Sequence, residues 1–487
     1  MLRALYLFLF LFMVAVFLTV FFSDFLPLPL GNYASQRSML SLLLAVVCPV
    51  VGAIWVVRVN WKGMVRGVPV IILSGLFILV SVPYGSVPYS WVEPGMYASF
   101  FLGFTLLGCF LAECRRSRQW AIILAYVAVL TSFFYGFVNL MIYCFALSEQ
   151  AKNYSSYIPW GFINIRYWGH VATWLVPVFS LAAIIGPLQN QRLWRLICAL
   201  AGALWWWIIL VTAARGSIVG LVAGVLVVIV CFGRMASPWL KVFLSYFLYG
   251  LALWLLFSLL LPSLIIDDIS LRGVNVTSSG RWPLFVEAWE MSLVNFPFGL
   301  GPQSWLTHEA ITESYKALRR LGHPHNMYLM WAAEYGWLLI AGLMAMAVQA
   351  ILFFWQRRTE VLAQGEYSSV LVLSGYTASV AAALTHAGVS AIFMAPGSML
   401  VGFMVLCIFW GLISPSGGFI SRYRRFSLCL VLAVFLMMAC FGALWLREVA
   451  NYYQAMVDDR DARYNGVIPT SVSPRFWRYG TFPRSQE

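Results

Sequence analysis

The chain has 487 residues, 62% of them hydrophobic and only 10% charged, against about 25% charged in an average soluble domain. That leaves too little polar surface to clothe a soluble core, so a soluble enzyme, a secreted disulfide scaffold and a disordered chain are excluded, and an all-α polytopic membrane protein is expected. The net charge of +13 excludes less: it fits basic residues at cytoplasmic helix ends, a nucleic-acid partner, or arginines that hold an anionic substrate.

A helix crosses the hydrocarbon layer with about 20 apolar residues. Thirteen stretches qualify, centred on 4–23, 38–57, 67–83, 94–112, 119–146, 168–186, 194–213, 216–232, 239–263, 327–355, 368–388, 395–414 and 427–446. Allowing for one re-entrant segment, twelve or thirteen transmembrane helices are expected, with a long outer loop carrying short helices. The first span follows Arg3 and has no small-residue cleavage site after Phe22, which marks an anchor rather than a removed signal peptide. With the N-terminus inside, the cytoplasmic turns hold Arg58, Lys62 and Arg66; Arg115, Arg116 and Arg118; Arg192 and Arg195; Arg234 and Lys241; Arg357 and Arg358; and Arg422, Arg424 and Arg425. With Arg3 these make sixteen of the 31 basic residues, while the short outer turns hold only Arg37, Lys152, Arg166 and Arg215. Half of the basic charge thus follows from topology, and no nucleic-acid partner is implied.

The chain divides into an N-terminal transmembrane bundle (1–263), an outer loop carrying the site residues (264–326), C-terminal transmembrane helices (327–446) and an outer tail (447–487). A loop of that length inside a compact protein is usually functional. Within it Trp282, Phe285, Trp289 and Leu293 recur at helical spacing, predicting a helix on the membrane surface. The nine cysteines lie in or beside apolar segments without a CxxC pair, and read as small core hydrophobes rather than disulfide or zinc ligands.

Five features carry chemistry. All five histidines, His170, His308, His323, His325 and His386, map to the outer face. Arg215 occupies a turn too short to be a loop, where an arginine costs several kcal/mol unless it meets an anion or water. Arg281 follows Ser278-Ser279-Gly280 and precedes Trp282-Pro283, a helix-start signature, and a helix N-terminus beside an arginine suits an anion. His323-Pro324-His325-Asn326 stands at the outer end of a span; without Cys, Asp or Glu nearby it points to proton chemistry rather than metal, so neither a metal nor a cofactor is expected. Glu334, a third of the way into that span, is either paired internally or functional.

The run from His323 to Gly336 resembles the signature of the O-antigen ligase superfamily, which includes ligases acting on lipid A core, O-antigen polymerases and bacterial protein O-oligosaccharyltransferases. His325-Asn326, nine residues and Gly336 fit its spacing, whereas Leu339 replaces the small residue or Tyr expected next. Ser279-Gly280-Arg281 through Glu287 to Trp289, then Phe296-Pro297-Phe298-Gly299-Leu300-Gly301-Pro302, resemble its Ser-Gly-Arg and Pro-X-Gly-X-Gly segments. Thr212–Ser217, Phe162–Arg166 and Thr385–Pro396 resemble further elements in the same order. The resemblance implies a metal-independent glycosyltransferase in a bacterial inner membrane that moves a glycan from undecaprenyl diphosphate to a periplasmic acceptor. It implies His325, Arg215 and Arg281 as catalytic residues, with Arg166, His323, Asn326 and Glu287 binding substrate. A pilin hydroxyl is the favoured acceptor, then lipid A core or a growing glycan; membrane lipids surround the protein. A lipid or solute transporter is the rival class, disfavoured by the absence of an evident repeat.

Overall fold

The computed structural model describes residues 2–27, 33–265, 280–318, 321–417, 427–464 and 475–476. Ser278 of the helix-start signature, Ser279 of the Ser-Gly-Arg segment, Arg422, Arg424, Arg425 and about half of the tail lie outside them. The described residues are almost wholly helical: α1 (Leu2–Phe22), α2 (Tyr33–Arg58), α3 (Trp61–Ser81), α4 (Val92–Glu113), α5 (Ser117–Ser148), α6 (Ile165–Ile184), α7 (Arg192–Val211), α8 (Arg215–Phe232), α9 (Ser237–Trp254, continuing through a π-helical stretch to Ser263), α10 (Trp282–Val294), α11 (Met327–Gln364), α12 (Tyr367–Ala387), α13 (Pro396–Ile413) and α14 (Ser427–Tyr464). Helices suit an apolar solvent because they satisfy every backbone group within the segment.

Eleven described stretches are long and apolar enough to cross a membrane. One of these, Arg215–Ser263, is divided into α8 and α9 by the turn at Gly233–Ala236, and the apolar part of α1 is shorter. Each of the thirteen spans read from the sequence therefore coincides with a helix of this all-α polytopic membrane protein.

α6, α12 and α13 are buried around nearly their whole circumference and form the centre. α8 packs on α12 through Gly220 and Gly224. A Cβ at these positions would meet Ala382 O at 2.5 Å and Ala378 O at 2.4 Å, a small-residue stripe of the kind that lets helix backbones approach. The opposite side of α8 exposes Val219, Val222, Leu226 and Val230, as a lipid-facing wall should.

α14 runs on past the boundary drawn at residue 446, because Val449, Tyr452 and Met456 remain buried at helical spacing. Beyond it, Arg475 and Phe476 return to the bundle, where Phe476 lies 6.2 Å from the Tyr452 ring. The surface helix expected around Trp282–Leu293 is α10. Trp282, Trp289 and Leu293 face outward, and Leu284, Ala288 and Met291 pack inward.

Candidate functional site

Three helix N-termini converge on one cavity, and each brings an arginine. Asn164 caps α6 by accepting from Arg166 N at 2.9 Å, which sets Arg166 in the first turn. α8 begins at Arg215 after a turn in which Ala213 takes φ 48°. Arg281 is the capping residue of α10, followed by Pro283 in the first turn. Arg166, Arg215 and Arg281 line a cavity of about 120 Å³ with Gly216, Ser217, His386, Val389 and Ser390, and no carboxylate is among its described lining residues. Ser217 Oγ donates to Gly169 O at 2.8 Å, tying the start of α8 to α6. Arg281 Nη1 donates to Val389 O at 2.7 Å. Burial, with Arg166 and Arg215 alongside, lowers the Arg281 pKa from its ordinary value, yet a guanidinium stays charged throughout. A cation at a helix N-terminus opposes the helix dipole by about 0.3–1 kcal/mol. Three such placements around one cavity are reconciled by an anion inside it.

His325 stands beside this cavity, 6% exposed, in the left-handed region at φ 60°. Histidine tolerates that conformation better than most residues, and such strain clusters at functional sites. Its Nε2 lies 3.4 Å from Arg166 Nη1. A guanidinium offers only donors, so Nε2 turns a lone pair towards Arg166 and the ring hydrogen sits on Nδ1, which has no partner among the described residues. Burial, then Arg166 and Arg281, lower the His325 pKa to about 3, so the imidazole is neutral at ordinary pH. Behind it, His323 Nδ1 accepts from His325 N at 3.1 Å. The two rings are 4.3 Å apart, and burial, with the neighbouring His325 ring and the charges of Arg475, Arg166 and Arg281, holds His323 well below the usual histidine range.

Asn326, expected to bind substrate, caps α11: its Oδ1 accepts from Leu329 N at 3.0 Å. Nine residues of helix follow, ending at Gly336 with φ 82° and ψ 175°, a conformation open essentially to glycine alone. The Phe296–Gly301 loop plugs this break. Leu300 N and Gly301 N donate to Ala333 O and Glu334 O, each at 2.9 Å, and Leu338 N donates to Pro297 O at 3.3 Å. A Cβ on Gly336 would meet Pro297 O at 2.1 Å, and one on Gly299 would meet Gly336 N at 2.6 Å. The His-Asn…Gly and Pro-X-Gly-X-Gly segments are thus two halves of one joint that fixes the short helix behind His325.

Glu287, also expected to bind substrate, is not among the described residues that line the cavity and is fully buried. Its Oε1 accepts from Ile311 N at 2.7 Å and faces His308 Nε2 at 3.0 Å, and its Oε2 accepts from Thr312 N at 2.8 Å and from Thr312 Oγ1. Burial pushes its pKa up, but these bonds outweigh it and the net shift is downward. With both oxygens engaged, Glu287 anchors the loop carrying the single-turn helices Ser304–Thr307 and Glu313–Lys316.

Glu334 is paired internally, with a residue that sequence reasoning missed. Arg475 Nη1 and Nη2 donate to its oxygens at 2.8 and 3.0 Å, and Arg475 Nη2 and Nε donate to Glu93 at 2.6 and 3.2 Å. The two carboxylates hold the Arg475 pKa up against burial, which acts in the opposite direction. Arg37 adds a bond from Nη2 to Arg475 O at 3.4 Å and lies 4.5 Å over the Phe476 ring. Also missed were the roles of His170 and His386, whose neighbours Ser390 and Thr173 come from distant segments. A cue was present, since all five histidines map to one face. Among the described residues no group of three or more His, Cys, Asp or Glu side chains has the arrangement of a metal site.

Fold and site define a polytopic membrane protein with a cation-rich pocket at the convergence of three helix starts. Residues 198–344 match the family model described as O-Antigen ligase, which supports placing the protein in the O-antigen ligase superfamily and indicates an O-antigen ligase-like glycosyltransferase. The match spans α8, α9, α10, Arg215, Arg281, His325 and the Gly336 joint. No curated protein matches the chain.

Proposed function

We propose that this protein transfers a preassembled glycan from undecaprenyl diphosphate to a hydroxyl acceptor at the periplasmic face of a bacterial inner membrane, without a metal. The observation that carries this reading is the convergence of the three arginine-bearing helix starts on one cavity beside a neutral His325. The leaving group is a lipid diphosphate, on which negative charge grows as the glycosidic bond breaks. Fixed guanidiniums and helix N-termini stabilise that charge without reorganising.

His325 Nε2, kept unprotonated by burial and by Arg166, accepts the hydrogen of the acceptor hydroxyl. Entry of the diphosphate offsets the surrounding positive charge and strengthens His325 as a base at the moment it is needed. Attack from the side opposite the leaving group inverts the anomeric carbon. His323 orients His325 through the bond to its backbone N–H.

The favoured acceptor is a pilin hydroxyl, supported by the Thr385–Pro396 resemblance and by Leu339. Lipid A core is the second reading and a growing glycan the third. With purified protein and a lipid-linked glycan, Arg215→Ala, Arg281→Ala and His325→Ala should each lower transfer by about 10²-fold or more; full activity of His325→Ala rules out its role as the base. Chelation with EDTA should leave transfer unchanged. Deleting the gene and comparing pilin with lipopolysaccharide by mass spectrometry identifies the acceptor. Loss of capped lipopolysaccharide with unaltered pilin rejects the pilin reading.

A further inference from the structure

His386 sits at the end of α12 with its ring between α6 and α8, 4% exposed. Its Nδ1 lies 2.8 Å from Thr173 Oγ1, and that hydroxyl donates its single hydrogen to Gly169 O at 2.9 Å. Thr173 therefore has only a lone pair to offer the imidazole. The hydrogen of neutral His386 resides on Nδ1, and Nε2 carries the lone pair.

Nε2 faces the cavity. His386 belongs to the cavity lining, and a Cβ on Gly216, in the first turn of α8, would lie 2.4 Å from Nε2. The titratable and charged groups around it are Arg166 and His170 from α6, Arg215 from α8, Arg281 at the start of α10, and His323, His325 and Tyr328 at the start of α11. His170 is 5.0 Å away ring to ring and spends its Nε2 on Ser390 Oγ at 2.7 Å. Tyr328 donates its hydroxyl to Leu384 O at 2.8 Å. The guanidiniums can only donate, so His386 Nε2 is the lone pair that an incoming phosphate oxygen meets. Two lone pairs repel, and one shared proton converts that contact into a charge-assisted hydrogen bond.

We propose that His386 is a proton-carrying ligand of the leaving group: its Nε2 takes up one proton as the lipid diphosphate binds and holds it against a diphosphate oxygen. This rests on the diphosphate reading of the cavity given above. In the transfer step the bond from the anomeric carbon to the diphosphate oxygen breaks, and its electron pair stays on that oxygen. The acceptor oxygen forms the new bond to the anomeric carbon and gives its proton to His325. The proton on His386 meets the charge growing on the diphosphate and leaves the site with it or returns to solvent. No other reactant is required.

The experiment is calorimetric titration of the purified full chain with farnesyl diphosphate at one pH in buffers of different ionisation enthalpy, which counts protons taken up per ligand bound. His386→Gln places an amide donor near the position of Nε2 but cannot titrate. It should bind the diphosphate while taking up about one proton fewer than the unaltered protein. His386→Asn keeps a donor for Thr173 and withdraws from the cavity, so it should fold normally and bind about tenfold more weakly. His325→Asn should keep the full proton count. Equal proton uptake by His386→Gln and the unaltered protein, or undiminished binding by His386→Asn, overturns the proposal. If the unaltered protein does not bind the diphosphate at all, the reading of the cavity itself fails.

Discussion

The arginine cavity and the Glu93–Arg475–Glu334 cluster treat positive charge in opposite ways. The cavity gathers Arg166, Arg215 and Arg281 at helix starts, with no carboxylate among the described lining residues. The cluster seals one guanidinium between two carboxylates, all three side chains at most 3% exposed. Counting Arg37, its formal charges cancel. Burial explains the difference: a sealed ion must be neutralised by the protein itself, whereas the arginines of an open pocket can be matched by what enters. The two regions meet in the short helix Met327–Tyr335, with His325 just before its start and Glu334 near its end, so the neutral cluster holds still the element on which the cationic site depends.

The largest expected effect breaks the neutral side of this contrast. Arg475→Leu strands two buried carboxylates and should destabilise the protein by about 3–5 kcal/mol, measured by unfolding in detergent. Replacing all four charged members with Glu93→Gln, Glu334→Gln, Arg475→Met and Arg37→Met should recover much of that loss; failure to recover would mean that the cluster acts through packing. On the cationic side, Arg215→Ala should lower glycan transfer by about 10²–10³-fold with an unchanged unfolding temperature, since the side chain is exposed at the pocket. A comparable loss of stability would erase the distinction between the two regions.

Gly336→Ala tests the joint between them. The φ of 82° and the close approach of Pro297 O should cost about 1–3 kcal/mol from backbone strain alone, with transfer falling alongside. The last expected effect is in pH dependence. His325 titrates at about 3 in the folded protein against 6.5 ordinarily, so below 6.5 the unfolded chain binds the proton first. Its contribution to stability is therefore complete above pH 6.5. It is lost as pH falls towards 3, by up to about 1.4 kcal/mol per pH unit. His325→Asn should flatten that part of the stability profile, measured by unfolding at pH 7.5, 6 and 5; an unchanged slope would show that other groups carry it.

The membrane class, the thirteen helices and the members of the cationic site were legible because their signals are local. Hydropathy marks a span wherever it is placed, a short apolar turn makes Arg215 conspicuous, and Ser-Gly before Arg281 and Pro after Trp282 announce a helix start. Even the His325–Gly336 spacing is local, being the length of one helical segment from its cap to its break. What only the tertiary structure decided is pairing. Nothing near Glu287 reveals that Ile311 and Thr312 fill its oxygens, nothing in the tail singles out Arg475 from its neighbours, and Thr173 sets the face of His386 from 213 residues away. A charge or an imidazole is identified by its residue type, but its role depends on which donor or acceptor the fold brings to within about 3 Å, and that is decided by how the helices pack.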